Sequence, residues 1–193
     1  MKRLLLCGEG RNELGSWSGD PAYQSASEPG VLEALLRKVK IDGWEITQAL
    51  QWKDIRKLRP GGHRSAESRN VGGAALRARE SGCDGLVFSR DRDAREERER
   101  ELEEAIAEAG KTIPVAAATA VEKLEGWMRA LAGEDGSENR KHPEAGLAED
   151  LKLDGTSTGH LVALIERTNL NRLPDDATSL RRFLERAKAL LGS

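Results

Sequence analysis

Residues Leu86 to Asp93 read Leu-Val-Phe-Ser-Arg-Asp-Arg-Asp, a short apolar run that ends in two aspartates one residue apart. Strand side chains alternate faces, so Asp91 and Asp93 point the same way if the strand continues through them. Adjacent carboxylates repel, and each holds its proton more tightly unless a cation compensates. A divalent metal is the simplest such cation. A plainer reading starts from the same residues: acids favour the amide-rich start of a helix, and Asp93 could cap one beginning at Ala94.

Other acids are placed to join this pair. Leu4 to Cys7 is a second apolar run, stopped by Gly8-Glu9-Gly10. Unalternating runs of this kind suit strands buried on both faces of a parallel sheet. In such sheets ligands sit beyond the carboxyl ends of the strands. Glu9 lies just past the end of the first strand, and Asp91 and Asp93 at the end of the third. If those strands are neighbours, three carboxylates converge on one crevice. Glu13 follows Glu9 by four residues and shares its side if a helical turn begins there. Hard oxygen donors suit Mg²⁺ or Mn²⁺, which could activate a water and neutralise charge on a phosphodiester.

Candidate substrate contacts come from the basic segment Lys53 to Arg69, expected on the same rim. Lys53 and Arg64 could steady phosphate, and Gly61-Gly62 would let backbone approach a ligand closely. His63 could act as a general acid, although a lone exposed histidine is ordinarily inert. Glu125 is either an additional acidic ligand or the partner of an arginine. Trp127 reads as core, and Cys7 as a small buried apolar side chain. His142 and His160 lack partners at zinc spacing. There is no Walker loop, nucleophile elbow or dinucleotide fingerprint.

The elements that must position these groups alternate along the chain. The pattern predicts strands at Leu4–Cys7, Trp44–Leu50, Leu86 onward and Thr112–Ala118, with Trp44, Ile46 and Gln48 alternating with Glu45 and Thr47. It predicts a helix opened by Ser27-Glu28-Pro29 with Ser27 as its cap. Further helices are expected over Ala66–Arg79, Ala94–Ala109, Ala120–Ala132, Gly159–Arg167 and Thr178–Leu191. Leu14–Ser27 and Gly133–Gly146 read as loops, and Arg95–Glu104 as a solvated charged face. Strand and helix in turn imply a parallel sheet covered on both faces, with a helical C-terminal extension over 133–193 packed on the same core as 1–132.

With 193 residues, 38% hydrophobic and 33% charged, the chain belongs to the globular class with a very polar surface. A net charge of -2 gives no global basic signal, so nucleic acid would need a local patch. Two cysteines are too few for a disulfide framework and suggest a reducing compartment. The N-terminal apolar run is too short for a signal peptide, and no stretch is long enough to span a bilayer. The expected setting is the cytoplasm.

Gly8-Glu9-Gly10-Arg11-Asn12-Glu13 after a first strand, with Asp91-Arg92-Asp93 after a third, resembles the Toprim domain of topoisomerases, bacterial primases and recombination proteins. The likeness covers roughly the first two-thirds of the chain and is nearest to small stand-alone Toprim-related proteins, in which a segment like Leu124-Glu125-Gly126-Trp127 follows the fourth strand. Asn12 stands where that group often has Thr, and the long Gly/Ser loop after Glu13 is an insertion relative to a minimal Toprim domain, where a helix follows directly. The resemblance implies a Rossmann-like Toprim fold with a central four-stranded, mostly parallel sheet and the first and third strands adjacent. It implies metal binding by Glu9, Asp91 and Asp93, with Glu13 as second-metal ligand. It also implies a Mg²⁺-dependent nuclease or phosphodiesterase in bacterial defence or nucleic-acid processing, alongside an ATPase, with a homo-oligomer left open. Two rivals remain at this point. One is a non-catalytic Toprim-like binding subunit of an ATPase-containing complex. The other is a small-molecule phosphatase, although in the haloacid-dehalogenase pattern the Asp-x-Asp pair ends the first strand.

Overall fold

The apolar runs become the two central strands of a parallel sheet. The computed structural model describes residues 1–18, 28–55, 65–92 and 95–192. Its elements in chain order are β1 (Lys2–Gly8), α1 (Arg11–Leu14), α2 (Val31–Val39), β2 (Trp44–Gln51), α3 (Ala66–Glu80), β3 (Gly85–Asp91), α4 (Glu96–Gly110), β4 (Val115–Ala120), α5 (Leu124–Leu131), α6 (Leu147–Asp150), α7 (Thr158–Arg167) and α8 (Thr178–Leu191). The sheet order is β2-β1-β3-β4 and every pairing is parallel. This is an α/β, Rossmann-like arrangement, and β1 and β3 are neighbours, with Cys7 opposite Phe88.

The pleat sorts the core into two layers. Leu4, Leu6, Val87, Ala116, Ala118 and Ala120 face α2, α5, α7 and α8. Leu5, Cys7, Leu86, Phe88 and Ala117 face α3 and α4. Cys7 and Cys83 are free and buried, and burial pushes the Cys7 thiol far up. Trp127 is fully buried, as expected of a core residue, and its indole N–H donates to Ser179 Oγ at 2.7 Å. No helix among the described residues is long and apolar enough to cross a membrane.

Several boundaries differ from the sequence expectation. In β2 the register jumps between Leu4↔Ile46 and Leu5↔Gln48, a bulge at Thr47. The extra residue reverses the phase of the strand. Trp44 and Ile46 pack on the α2 layer, whereas Gln48 accepts from Ser81 Oγ at the end of α3. The N-cap of α2 is Gly30, not Ser27, which lies outside the described residues. The N-cap of α4 is Arg95, so that helix begins two residues later than Ala94. The segment 133–146 is no mere surface loop, because Arg129, fully buried on α5, reaches into it. Its guanidinium donates to the carbonyls of Pro143 and Ala145, both at 2.7 Å, and pairs with Glu134 and Asp150. Buried Glu138 accepts from the Ser179 and Leu180 amides, both at 2.9 Å, at the start of α8. That clasp holds α8 against β4, and Arg186 of α8 donates to the edge carbonyl of Ala117 at 2.7 Å.

Candidate functional site

The site lies where β1 and β3 end side by side. Gly8 closes β1, and a Cβ built there would stand 2.8 Å from the Cβ of Glu13. The missing side chain lets the single turn of α1 fold back onto the strand end. Glu13 then accepts from the Gly10 amide at 3.0 Å, the arrangement that favours an acid three residues into a helix. Gly15 has φ +61°, and a Cβ on it would sit 2.1 Å from the Glu28 carbonyl. Only glycine tolerates that conformation and that approach, and it brings α1 up to the start of α2. From the other side, Thr158 of α7 donates to Asn12 Oδ1 at 3.1 Å.

These constraints form a cleft of about 390 Å³ lined by Glu9, Gly10, Arg11, Asn12, Glu13, Asp91, Leu124 and Glu125. Asp91 is pinned twice. Its Oδ1 accepts from the Leu124 amide, the first of α5, at 3.1 Å, and its carbonyl accepts from Arg98 at 2.7 Å. A carboxylate at a helix start is favourably placed. Glu13 is only 7% exposed. Burial pushes its carboxyl above the usual range. Backbone hydrogen bonds oppose the rise, and the negative charges of Glu9 and Glu125 add to it. Lys123, beside the cleft, is held above its ordinary value first by its hydrogen bond to Glu144, then by the charges of Glu144, Glu125 and Asp91.

Glu9 is held differently. Its carboxylate pairs with Arg90 Nη1 at 2.6 Å. Arg90 lies on the other face of the sheet from Asp91, its neighbour in β3. It stacks 5.5 Å from the Trp52 ring centroid and approaches Glu67 of α3 at 3.5 Å. Glu67 is buried and also pairs with Arg98 at 3.1 Å.

Four residues singled out from the sequence, Glu9, Glu13, Asp91 and Glu125, therefore line one cleft. Lys53 is exposed in the turn after β2 and is not among the lining residues. Asp93, His63 and Arg64 lie outside the described residues. Sequence reasoning missed Arg90, Glu67 and Arg98. Arg98 falls in the stretch expected to be a solvated face, yet it is buried. Its spacing of four and eight residues from Leu102 and Ile106 was the available signal.

The cleft's side-chain oxygens are hard donors of the type that divalent cations take, and the charges of Glu9 and Glu125 add to the rise of the Glu13 carboxyl. Among the described residues, however, no three His, Cys, Asp or Glu side chains are gathered closely enough to hold a metal ion. No family model matches this chain, and neither a curated protein nor a solved structure matches it.

Proposed function

We propose that this cleft is the divalent-cation site of a Toprim-type phosphodiesterase or nuclease acting on nucleic acid with Mg²⁺ or Mn²⁺. The observation that carries the reading is the buried carboxyl of Glu13, set beside Glu9, Asp91 and Glu125 where two adjacent strands end. A charged acid buried among acids is unfavourable unless it takes up a proton or a cation compensates it.

Glu9, Glu13 and Asp91 would hold the ion, joined by Asp93. The bound ion supplies charge neutralisation at the phosphate and a more acidic water. Asp91 is the fixed member, because its backbone and side chain are each tied to a helix. The raised Glu13 carboxyl would make its ligation proton-linked. Arg11 lines the cleft with most of its side chain exposed, pairing with Glu28 at 2.6 Å, and can reach toward an anionic ligand. Lys123 stands at the opposite side, at the start of α5.

The reading is tested with Asp91→Asn, which keeps an oxygen to accept from the Leu124 amide. The wild type should bind Mn²⁺ in calorimetry and nick DNA or RNA with it. The variant should keep its thermal transition and lose at least about tenfold in Mn²⁺ affinity. Equal binding or equal nicking by both proteins sinks the reading. The pairing of Glu9 with Arg90 favours one alternative, a Toprim-like subunit that binds a partner without catalysis. Mn²⁺ uptake with no cleavage of any nucleic acid would select it.

A further inference from the structure

Away from the cleft, a groove of about 490 Å³ runs between α3 and α4 on the outer side of that layer. Gly72 of α3 and Ala105 and Ala109 of α4 leave it open. Leu76, 39% exposed, stands on one wall beside Arg79, and Glu108 stands on the other. Both helices return from the end of one parallel strand to the start of another, so they run in the same direction. Each is 15 residues long. Arg79 lies next to the end of α3 and Glu108 in the last turn of α4, so the two share one level. The walls differ in charge. The last turn of α3 exposes Arg77 and Arg79 beside Glu80, and neither arginine makes an ion pair among the described residues. In contrast, α4 exposes Glu96, Glu97, Glu104 and Glu108 against Arg100. Glu104 and Glu108 pair locally, with Arg100 at 2.9 Å and Lys111 at 2.5 Å, at exposed positions where such pairs are worth little and exchange easily.

We propose that this face docks on a second copy of the chain, with the two-fold axis running along the groove. A two-fold contact sets the same patch on both sides. An axis along the helices lays α3 of one copy on α4 of the other. An axis across them lays α3 on α3 and α4 on α4. Only the first brings the basic wall to the acidic one, and like charges opposed across a contact are costly. It sets Arg79 against Glu108 of the other copy twice over, and turns both Leu76 side chains into the space shared by four helices. One exposed leucine is ordinary on a protein surface. What selects a second copy is that the patch carries its own complement: a basic wall, an acidic wall, an apolar knob and the gap that takes it. Two helices about 22 Å long, side by side across about 20 Å, offer less than the roughly 800 Å² per partner of a standard interface. The dimer is therefore weak and sensitive to salt. Its axis follows the strand direction, so the strand ends that carry the cleft point the same way in both copies. The contact does not depend on what the cleft binds.

Sedimentation of the full chain over a range of concentrations tests the contact. The wild type should pass from the mass of one chain to that of two with a dissociation constant of about 10–100 µM, and added salt should drive it back. Arg79→Glu and Glu108→Arg each oppose like charges twice in the dimer. Each should weaken self-association at least about tenfold and, being exposed, keep the wild-type thermal transition. Mixing the two variants is the discriminating step. In a mixed dimer both opposed pairs become attractive again, so the equimolar mixture should associate about as tightly as the wild type although neither variant does so alone. Damage to the fold cannot produce that rescue. A wild type that stays at the mass of one chain up to about 1 mM in low salt overturns the proposal and leaves the groove to a different protein. Variants that self-associate like the wild type, or a mixture no tighter than its components, also overturn it, because any dimer then forms through another face.

Discussion

Two regions of this protein bury carboxylates at the start of a helix, and they do so in opposite ways. In the C-terminal clasp, Glu138 accepts from the Ser179 and Leu180 amides. Nearby, Arg129 spends its guanidinium on two carbonyls and two acids. Each buried charge there meets its complement, which is how a buried ion becomes tolerable. In the cleft, Glu13 has the Gly10 amide for a partner but also faces Glu9 and Glu125. Like meets like. That contrast is what supports the proposal of a binding site at the cleft.

The sharpest way to break this comparison is in the clasp. Arg129→Met leaves Glu134 and Asp150 without their buried partner and two carbonyls without a donor. Both acids are partly exposed and keep Arg140, so the main loss is the donor to two carbonyls, about 1–3 kcal/mol for an acceptor left unsatisfied, and urea unfolding should shift within that range. A loss below about 1 kcal/mol, the size of an exposed pair, would mean that the clasp is decoration. Glu138→Ala is the smaller version. It strips the acceptor from two amides at the start of α8, an effect of about 1–2 kcal/mol for a capping group. Because α8 covers β4, hydrogen exchange in the two elements should rise together.

Much of the fold was legible from the residues alone, for local reasons. Leu4–Cys7 and Leu86–Phe88 are apolar without alternation, which is what strands covered on both faces require. The stripe through Leu180, Phe183, Leu184 and Ala187 is buried as its period demands. The cleft was legible in outline because strand ends adjacent in a parallel sheet bring Glu9 and Asp91 to one rim. What could not be read depends on partners distant in the chain. Arg98 looks like one charge among many until Glu67, 31 residues earlier (98 − 67), is placed against it. Glu138 looks like a loop acid until the start of α8 arrives, 41 residues later in the case of Ser179. The bulge at Thr47 has no composition signal, and it alone moves Gln48 to the other face of β2.

The finest test lies in Glu13, whose effect on stability is the smallest and whose sign is the most informative. Its carboxyl is raised above the ordinary glutamate value near 4.3, chiefly by burial, so the folded protein binds its proton more tightly than the unfolded chain does. The proton's contribution to stability is complete below the unfolded value and disappears as pH rises through the higher folded one. Above that window Glu13 is charged in both states, and the full desolvation penalty opposes folding. Glu13→Gln keeps an oxygen for the Gly10 amide and carries no charge. It should therefore melt higher than wild type at pH 8, and the gap should close as pH approaches 4. A gap that widens toward acid would mean that Glu13 is a stabilising anion like Glu138, and the contrast between the regions would fail. Added Mn²⁺ should act in the reverse sense: it should raise the melting temperature of the wild type more at pH 8 than at pH 5, because the ion must displace the Glu13 proton in order to bind. Glu13→Gln should lose most of that gain, since it lacks the charge that a bound cation would use.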